Sequence, residues 1–229
     1  MTSTTIYKKT HLKICGITRS VDIRLLDNLG IDYAGLWCGI PQGAYNLETS
    51  VFIRLSNIPT QVLKFVIVTF QQSLKFFAPL VENSRISAIQ LHGFQLPAFV
   101  KQLKSVLGSH IKIFKVIHVK GDYCSEETLI KRYLDAGTDI IILDSMRNQY
   151  HIGSTAIQIN KNFMDKFMLQ GISPEKIIIA GGINESNIRS LCQIYHPFGF
   201  DIDSAAKYDQ WVCKNRVVRI MDQIQHPKN

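Results

Sequence analysis

The chain lacks any uninterrupted apolar run of roughly 18 residues, so no segment reads as a bilayer-spanning helix. It also lacks a C-x-x-C pair. Its five cysteines, Cys15, Cys38, Cys124, Cys192 and Cys213, are odd in number and scattered, which argues against a disulfide framework and a zinc site and leaves any special thiol to act alone. A formal net charge of +8 could attract nucleic acid, a lipid surface or a small phosphorylated substrate, but no Lys/Arg-rich block or basic amphipathic segment concentrates it. We therefore expect a small anionic substrate, with no nucleic acid and no membrane as partner. Charged residues make up only 19% against 46% apolar, close to globular averages, which excludes a disordered chain. The start, MTSTTIYKKT, is polar with no apolar stretch behind it, so the expectation is a cytoplasmic protein of one domain over 1–229, with 1–10 a short polar extension.

Short β-branched runs alternate with segments of helical periodicity. The strand candidates are 11–14, 32–37, 63–70, 86–91, 111–119, 139–144, 176–180 and 198–202. Helical patterns include 21–30, 96–108, 125–137, 184–195 and 210–224, with Gly30, Gly108 and Gly137 as left-handed stops. Runs such as IIILD and KIIIA are continuously apolar, as in a parallel sheet covered by helices on its outer face. Eight βα units of about 29 residues each predict an α/β fold, the (β/α)8 TIM barrel, with a doubly wound open sheet as the alternative.

In such a barrel, reactive groups lie at strand C-termini and in the loops after them. That selects Lys13, Cys15, Trp37, Cys38, Gln90, His92, Asp144, Gly181, Gly182, Asp203 and Ser204. Lys13 and Cys15, two apart, share a face, and an ammonium beside a thiol favours the thiolate; equally, Cys15 can be a small buried hydrophobe. Asp144 ends an apolar strand abruptly, as a turn residue or, with a raised pKa, as a general acid complementary to Cys15. In AGGINESNI (180–188) two glycines precede a helix that Asn184 could cap, the kind of helix start that binds anions. His92 has no second metal ligand at ligand spacing, so no metal is expected.

These residues carry a resemblance. KICGITR (13–19), QLHG (90–93), LDS (143–145) and AGGI-N (180–184), in this order, resemble the motifs of the phosphoribosylanthranilate isomerase family over nearly the whole chain. The resemblance implies the (β/α)8 barrel and a cofactor-independent Amadori rearrangement of N-(5-phosphoribosyl)anthranilate, a reaction of the tryptophan biosynthesis type. It implies Asp144 as the acid and Cys15 as the base. Substrate contacts would come from Lys13, Arg19, Gln90, His92 and Asp201, and phosphate contacts from Gly153, Ser154, Gly181, Gly182 and Ser204. Two segments depart from the family's pattern. Where its second loop carries an arginine for the anthranilate carboxylate, LWCGIPQGAYNLE (36–48) has none, and no Arg or Lys occurs between Arg24 and Arg54. DIDSAAK (201–207) puts Asp203, Ala205 and Lys207 where the family has serine, glycine and glutamate. The same acid and base on another N-glycosylamine or sugar phosphate, or a non-catalytic ligand-binding barrel, remain alternatives. Both a monomer and a homodimer fit the sequence.

Overall fold

Eight parallel strands close into a ring in the computed structural model, which describes residues 9–148, 151–152 and 158–225. They are β1 (His11–Ile14), β2 (Tyr33–Cys38), β3 (Lys64–Thr69), β4 (Ile86–Leu91), β5 (Lys112–Lys120), β6 (Ile140–Asn148), β7 (Ile177–Ile179) and β8 (Gly199–Ile202). Each pairs in parallel with the next, and β8 returns to β1 in the register His11↔Gly199 to Ile14↔Ile202. The closed ring is the (β/α)8 barrel; a doubly wound sheet would leave two open edges.

The helices are α1 (Ser20–Asn28), α2 (Thr49–Ser56), α3 (Leu74–Glu82), α4 (Pro97–Val106), α5 (Ile130–Asp135), α6 (Lys161–Met168), α7 (Ile188–Tyr195) and α8 (Lys214–Gln225). Proline at the first position of α4 fixes φ where no N–H partner is needed, and Asn160 caps α6 by accepting from Asn162 N at 2.8 Å. No described helix is long and apolar enough to cross a membrane.

Three expectations change here. Gly108 does not adopt the left-handed conformation that Gly30 (φ 75°) and Gly137 (φ 103°) do, because α4 ends at Leu107 in extended backbone. The pattern over 210–224 is not helical throughout. Trp211–Val212 pairs antiparallel with Lys207–Tyr208 around Asp209 and Gln210, both at positive φ, so α8 begins only at Lys214. Strand β6 runs past Asp144 to Asn148 and pairs back with His151–Ile152.

Side-chain alternation then sorts the interior. Outward residues such as Ile14, Leu36, Ile67, Leu91, Leu143 and Phe200 pack under the helices in the main core. Inward residues form a second, smaller cluster, with Tyr33, Val66, Ala88, Phe114, Ile142 and Ile178 filling the barrel. Beyond that apolar plug, toward the strand C-termini, the inward positions turn polar: Lys13, Gln90, His118, Asp144 and Asp201 are all buried. A barrel plugged with hydrocarbon at one level and lined with ionisable groups at the next has its chemistry at the second level.

Candidate active site

Strand β1 delivers two groups to the mouth. Lys13 Nζ donates to Asp201 Oδ2 at 2.7 Å, a pair set by the β1–β8 register, in which these two residues are partners. Burial would pull Lys13 toward neutrality, but the charge and hydrogen bond of Asp201, with Cys15 adding to them, keep the ammonium pKa above its ordinary value. Cys15 is buried beside them, and the Trp37 indole N–H donates to its Sγ at 3.2 Å.

The thiol corrects an expectation. Burial pushes its pKa up to about 11; Lys13 lowers it, but Asp201 and Asp203 add negative charge that opposes ionisation. Lys13 is thus neutralised by Asp201 before it can hold a thiolate, and in the free protein Cys15 is a thiol.

Gly35 on β2 makes this arrangement possible. A Cβ there would lie 2.9 Å from Lys13 Nζ, 3.0 Å from Cys15 Sγ and 3.2 Å from the Cys15 Cα. Because the last contact is backbone, Gly35→Ala is expected to cost about 1–3 kcal/mol of stability by overpacking, read as a lower urea midpoint at unchanged slope. An unchanged midpoint would mean that the mouth yields freely.

Three strands away, Asp144 has its pKa raised to about 7, chiefly by burial and then by the charge of Asp201, with Lys13 opposing. His92 Nε2 stands 3.6 Å from Asp144 Oδ2, and Gln90 Nε2 lies 3.2 Å from His92 Nδ1. Burial first, and then the nearby His118 and Lys13, hold His92 well below its usual pKa, so the ring is neutral. With Gln90 donating to Nδ1, the proton sits on Nε2 and faces Asp144. The mouth therefore holds a protonatable carboxyl on one side and a thiol on the other.

The loops that could cradle an anion are partly as expected. Gly181 (φ 75°) and Gly182 (φ 62°) form a left-handed turn after β7, and a Cβ on Gly181 would lie 2.2 Å from Ser145 Oγ and 2.8 Å from Ser145 N. Only glycine allows that approach. Asn184 does not cap α7, which begins at Ile188; its Oδ1 accepts from Ser186 N, while its Nδ2 and that of Asn187 both brace the Gly182 carbonyl. Ser204 is exposed in the short 3-10 turn after β8. Gly153 and Ser154 lie outside the described residues.

Arg19 is engaged with other residues. It pairs with Asp22 through two nitrogens, at 2.9 and 2.7 Å, and stacks on Trp211 at 3.9 Å. Asp203, in contrast, does not leave an uncompensated charge: Lys207 Nζ lies 2.5 Å from its Oδ1, donates to the Gly16 carbonyl at 3.1 Å and sits 3.6 Å over the Tyr45 ring. Loop 36–48, which has no cation of its own, thus meets one supplied from the β8 side.

One pair of groups escaped the sequence reading. His118, inward on β5, is the register partner of Asp144, and its Nδ1 lies 2.8 Å from Glu126 Oε1. The available signal was parity with the inward Phe114 and Val116, but His118 is embedded in an apolar run and Glu126 lies in the loop beyond.

A sequence profile of the family described as N-(5'phosphoribosyl)anthranilate (PRA) isomerase matches residues 12–209. The chain belongs to this family. It is 26% identical over 217 residues to the N-(5'-phosphoribosyl)anthranilate isomerase of Staphylococcus haemolyticus (strain JCSC1435), covering 93% of this chain and 98% of that one. The phosphoribosyl anthranilate isomerase of Thermus thermophilus superposes with a TM-score of 0.75 at 19% identity, over 93% of this chain and 98% of the other. A phosphoribosyl anthranilate isomerase solved with reduced 1-(o-carboxyphenylamino)-1-deoxyribulose 5-phosphate superposes with a TM-score of 0.73 at 18% identity, over 95% and 99%. At those identities the solved structures speak for the shared barrel, and the family assignment rests on the profile.

Proposed function

We propose that this protein isomerises N-(5'-phosphoribosyl)anthranilate to its 1-deoxyribulose phosphate by an Amadori rearrangement, in the tryptophan biosynthesis role its relatives are named for, without a cofactor. Asp144 gives its proton to the furanose ring oxygen; the C1–O bond breaks and the nitrogen lone pair forms a C1=N iminium. In the competent form Cys15 is the thiolate; it takes the C2 proton and becomes the thiol, the C–H electrons become a C1=C2 bond, and those of the iminium return to nitrogen. The enolamine then loses its hydroxyl proton and gains one at C1, giving the ketone. Lys13, locked to Asp201, keeps the floor of the site charged and ordered, and His92 offers its Nε2–H beside Asp144. The glycine turn 181–182, with Ser204 and, outside the described residues, Gly153 and Ser154, would receive the phosphate. Lys207 reaches the Tyr45 ring of loop 36–48, but its charge is already paired with Asp203, so it steadies that loop and does not replace a carboxylate-binding arginine.

The observation that carries this reading is Asp144: a buried carboxyl with a pKa of about 7 keeps a large protonated fraction near neutral pH and can act as an acid. The test is conversion of the substrate by purified protein as a function of pH. With the acid near 7 and the base near 11, the competent form has the proton on the group of lower pKa. Between the two values each tenfold loss of Asp144 acid is matched by a tenfold gain of Cys15 thiolate. We therefore expect kcat/KM to rise with pH up to about 7 and then run level into the alkaline range. No conversion at any pH by folded protein would end the proposal, and a fall beginning near pH 8 would mean that the thiol ionises far more easily than its burial dictates.

A further inference from the structure

Two imidazole nitrogens in the mouth, Nε2 of His92 and Nε2 of His118, are buried with no hydrogen-bond partner among the described residues. His92 already belongs to the acid's surroundings. His118 does not, and it is the more completely buried of the two. It stands on the inner face of β5 at the level of Asp144, with the His92 ring 5.8 Å away and the Phe94 ring packed against it at 4.6 Å.

Its other nitrogen is fixed. Glu126 Oε1 lies 2.8 Å from Nδ1, while Glu126 Oε2 accepts from Ser125 Oγ at 2.7 Å and from the His118 backbone N–H at 3.3 Å. Lys115 Nζ is 3.8 Å from the same carboxylate. Burial would raise the Glu126 pKa, but the hydrogen bond from His118, the Lys115 charge and the hydrogen bond from Ser125 bring it below its ordinary value, so it is an anion. An anionic acceptor at Nδ1 places the imidazole proton there, and Nε2 is left with its lone pair facing the mouth. Among the described residues that buried acceptor has no donor, and such a group calls for one.

We propose that His118, fixed as an acceptor by Glu126, is a substrate-binding residue that takes a hydrogen bond from a hydroxyl of the phosphorylated sugar. This rests on the isomerase reading above. Of the polar groups on such a substrate, the carboxylate and the phosphate dianion offer no proton to a lone pair; the anilino N–H has the ortho carboxylate as its acceptor within the same molecule, which leaves the sugar hydroxyls as donors. Hydroxyls also both donate and accept, which suits a pair of rings in which His92 presents an N–H and His118 an acceptor. Glu126 is the positioning residue.

The test uses reduced 1-(o-carboxyphenylamino)-1-deoxyribulose 5-phosphate as the probe, its Kd measured by calorimetry, alongside steady-state kinetics on the substrate. His118→Phe should weaken the probe about tenfold or more and raise KM more than it lowers kcat. His118→Asn, too short to reach, should do the same, and serves if the phenylalanine variant does not fold. Glu126→Gln, whose amide N–H can turn toward Nδ1 and send the imidazole proton to Nε2, should weaken the probe and raise KM more than it lowers kcat, a split that a merely structural role would not give. Probe affinity within twofold of wild type in both His118 variants, or in Glu126→Gln, overturns the proposal. A wild-type protein that neither binds the probe nor converts substrate defeats the isomerase reading itself; one that does both, with indifferent His118 variants, defeats the His118 contact alone.

Discussion

Asp144→Asn lowers kcat by about 10²–10⁴-fold while leaving the Kd of the reduced product analogue nearly unchanged. Asparagine keeps the size and the hydrogen bonding of the side chain but has no proton to give a ring oxygen. The carboxyl is placed to give one because burial and the Asp201 charge hold its pKa at about 7, so a large fraction is acid at neutral pH. The leaving ring oxygen is a poor anion, and without a proton donor the C1–O bond has no easy way to break. Cys15→Ser is expected to fall in the same range, because a serine hydroxyl is far less acidic than a thiol that burial has already moved to about 11. Since both act on one proton-transfer sequence, the double variant should be little slower than the more damaging single, and not slower by the product of the two effects. Single-turnover rates with saturating substrate are the measurement. A variant at either position retaining a third of wild-type kcat would remove that residue from the chemistry.

The second large effect is on stability. Lys13→Met leaves the Asp201 carboxylate, 9% exposed, facing the barrel interior without its 2.7 Å partner. Breaking one side of a buried ion pair costs about 3–5 kcal/mol, because the remaining charge keeps its desolvation cost and loses its compensation. The pH dependence checks the cause. In the variant, Asp201 binds a proton more readily folded than unfolded, so the native state carries the extra proton and stability falls as pH rises through that titration. The deficit relative to wild type should thus be larger at pH 8 than at pH 5 in urea melts. The companion change Asp201→Leu in the same chain should recover most of the lost stability and none of the activity. An equal deficit at both pH values would point to lost packing in place of a stranded charge.

How much of this could be read from the sequence varies from residue to residue. The barrel strands were legible because parallel strands covered by helices must be apolar on both faces, and runs such as ISAIQL and IIIL have no other stable home. Asp144 and Cys15 were legible for a related reason: a polar or reactive group at the C-terminal end of such a run stands at the mouth by strand parity alone. His118 has the same parity, but its run carries on apolar to Val119, and nothing local announces a carboxylate arriving from the loop. The helix expected to begin near 210 failed because two residues at positive φ turn the chain back into a hairpin, a choice the helical spacing of apolar residues does not encode.

The protonation of the site was the least legible part. From Lys13 beside Cys15 a lowered thiol pKa follows, yet the thiol is raised, because Lys13 is committed to Asp201, 188 residues further on. The missing arginine of 36–48 and the added Asp203 looked like two separate losses. Lys207 answers the second, pairing with Asp203 while it reaches the Tyr45 ring, because the loops after β8 and β2 meet above β1. By itself, then, the sequence determined the barrel, the end at which its chemistry lies and the types of group found there, since those follow from periodicity and parity along each strand. Only the tertiary structure decided which charges are already spent on one another and which nitrogens are left unpaired, because burial and long-range pairing set a pKa through surroundings that no stretch of chain contains.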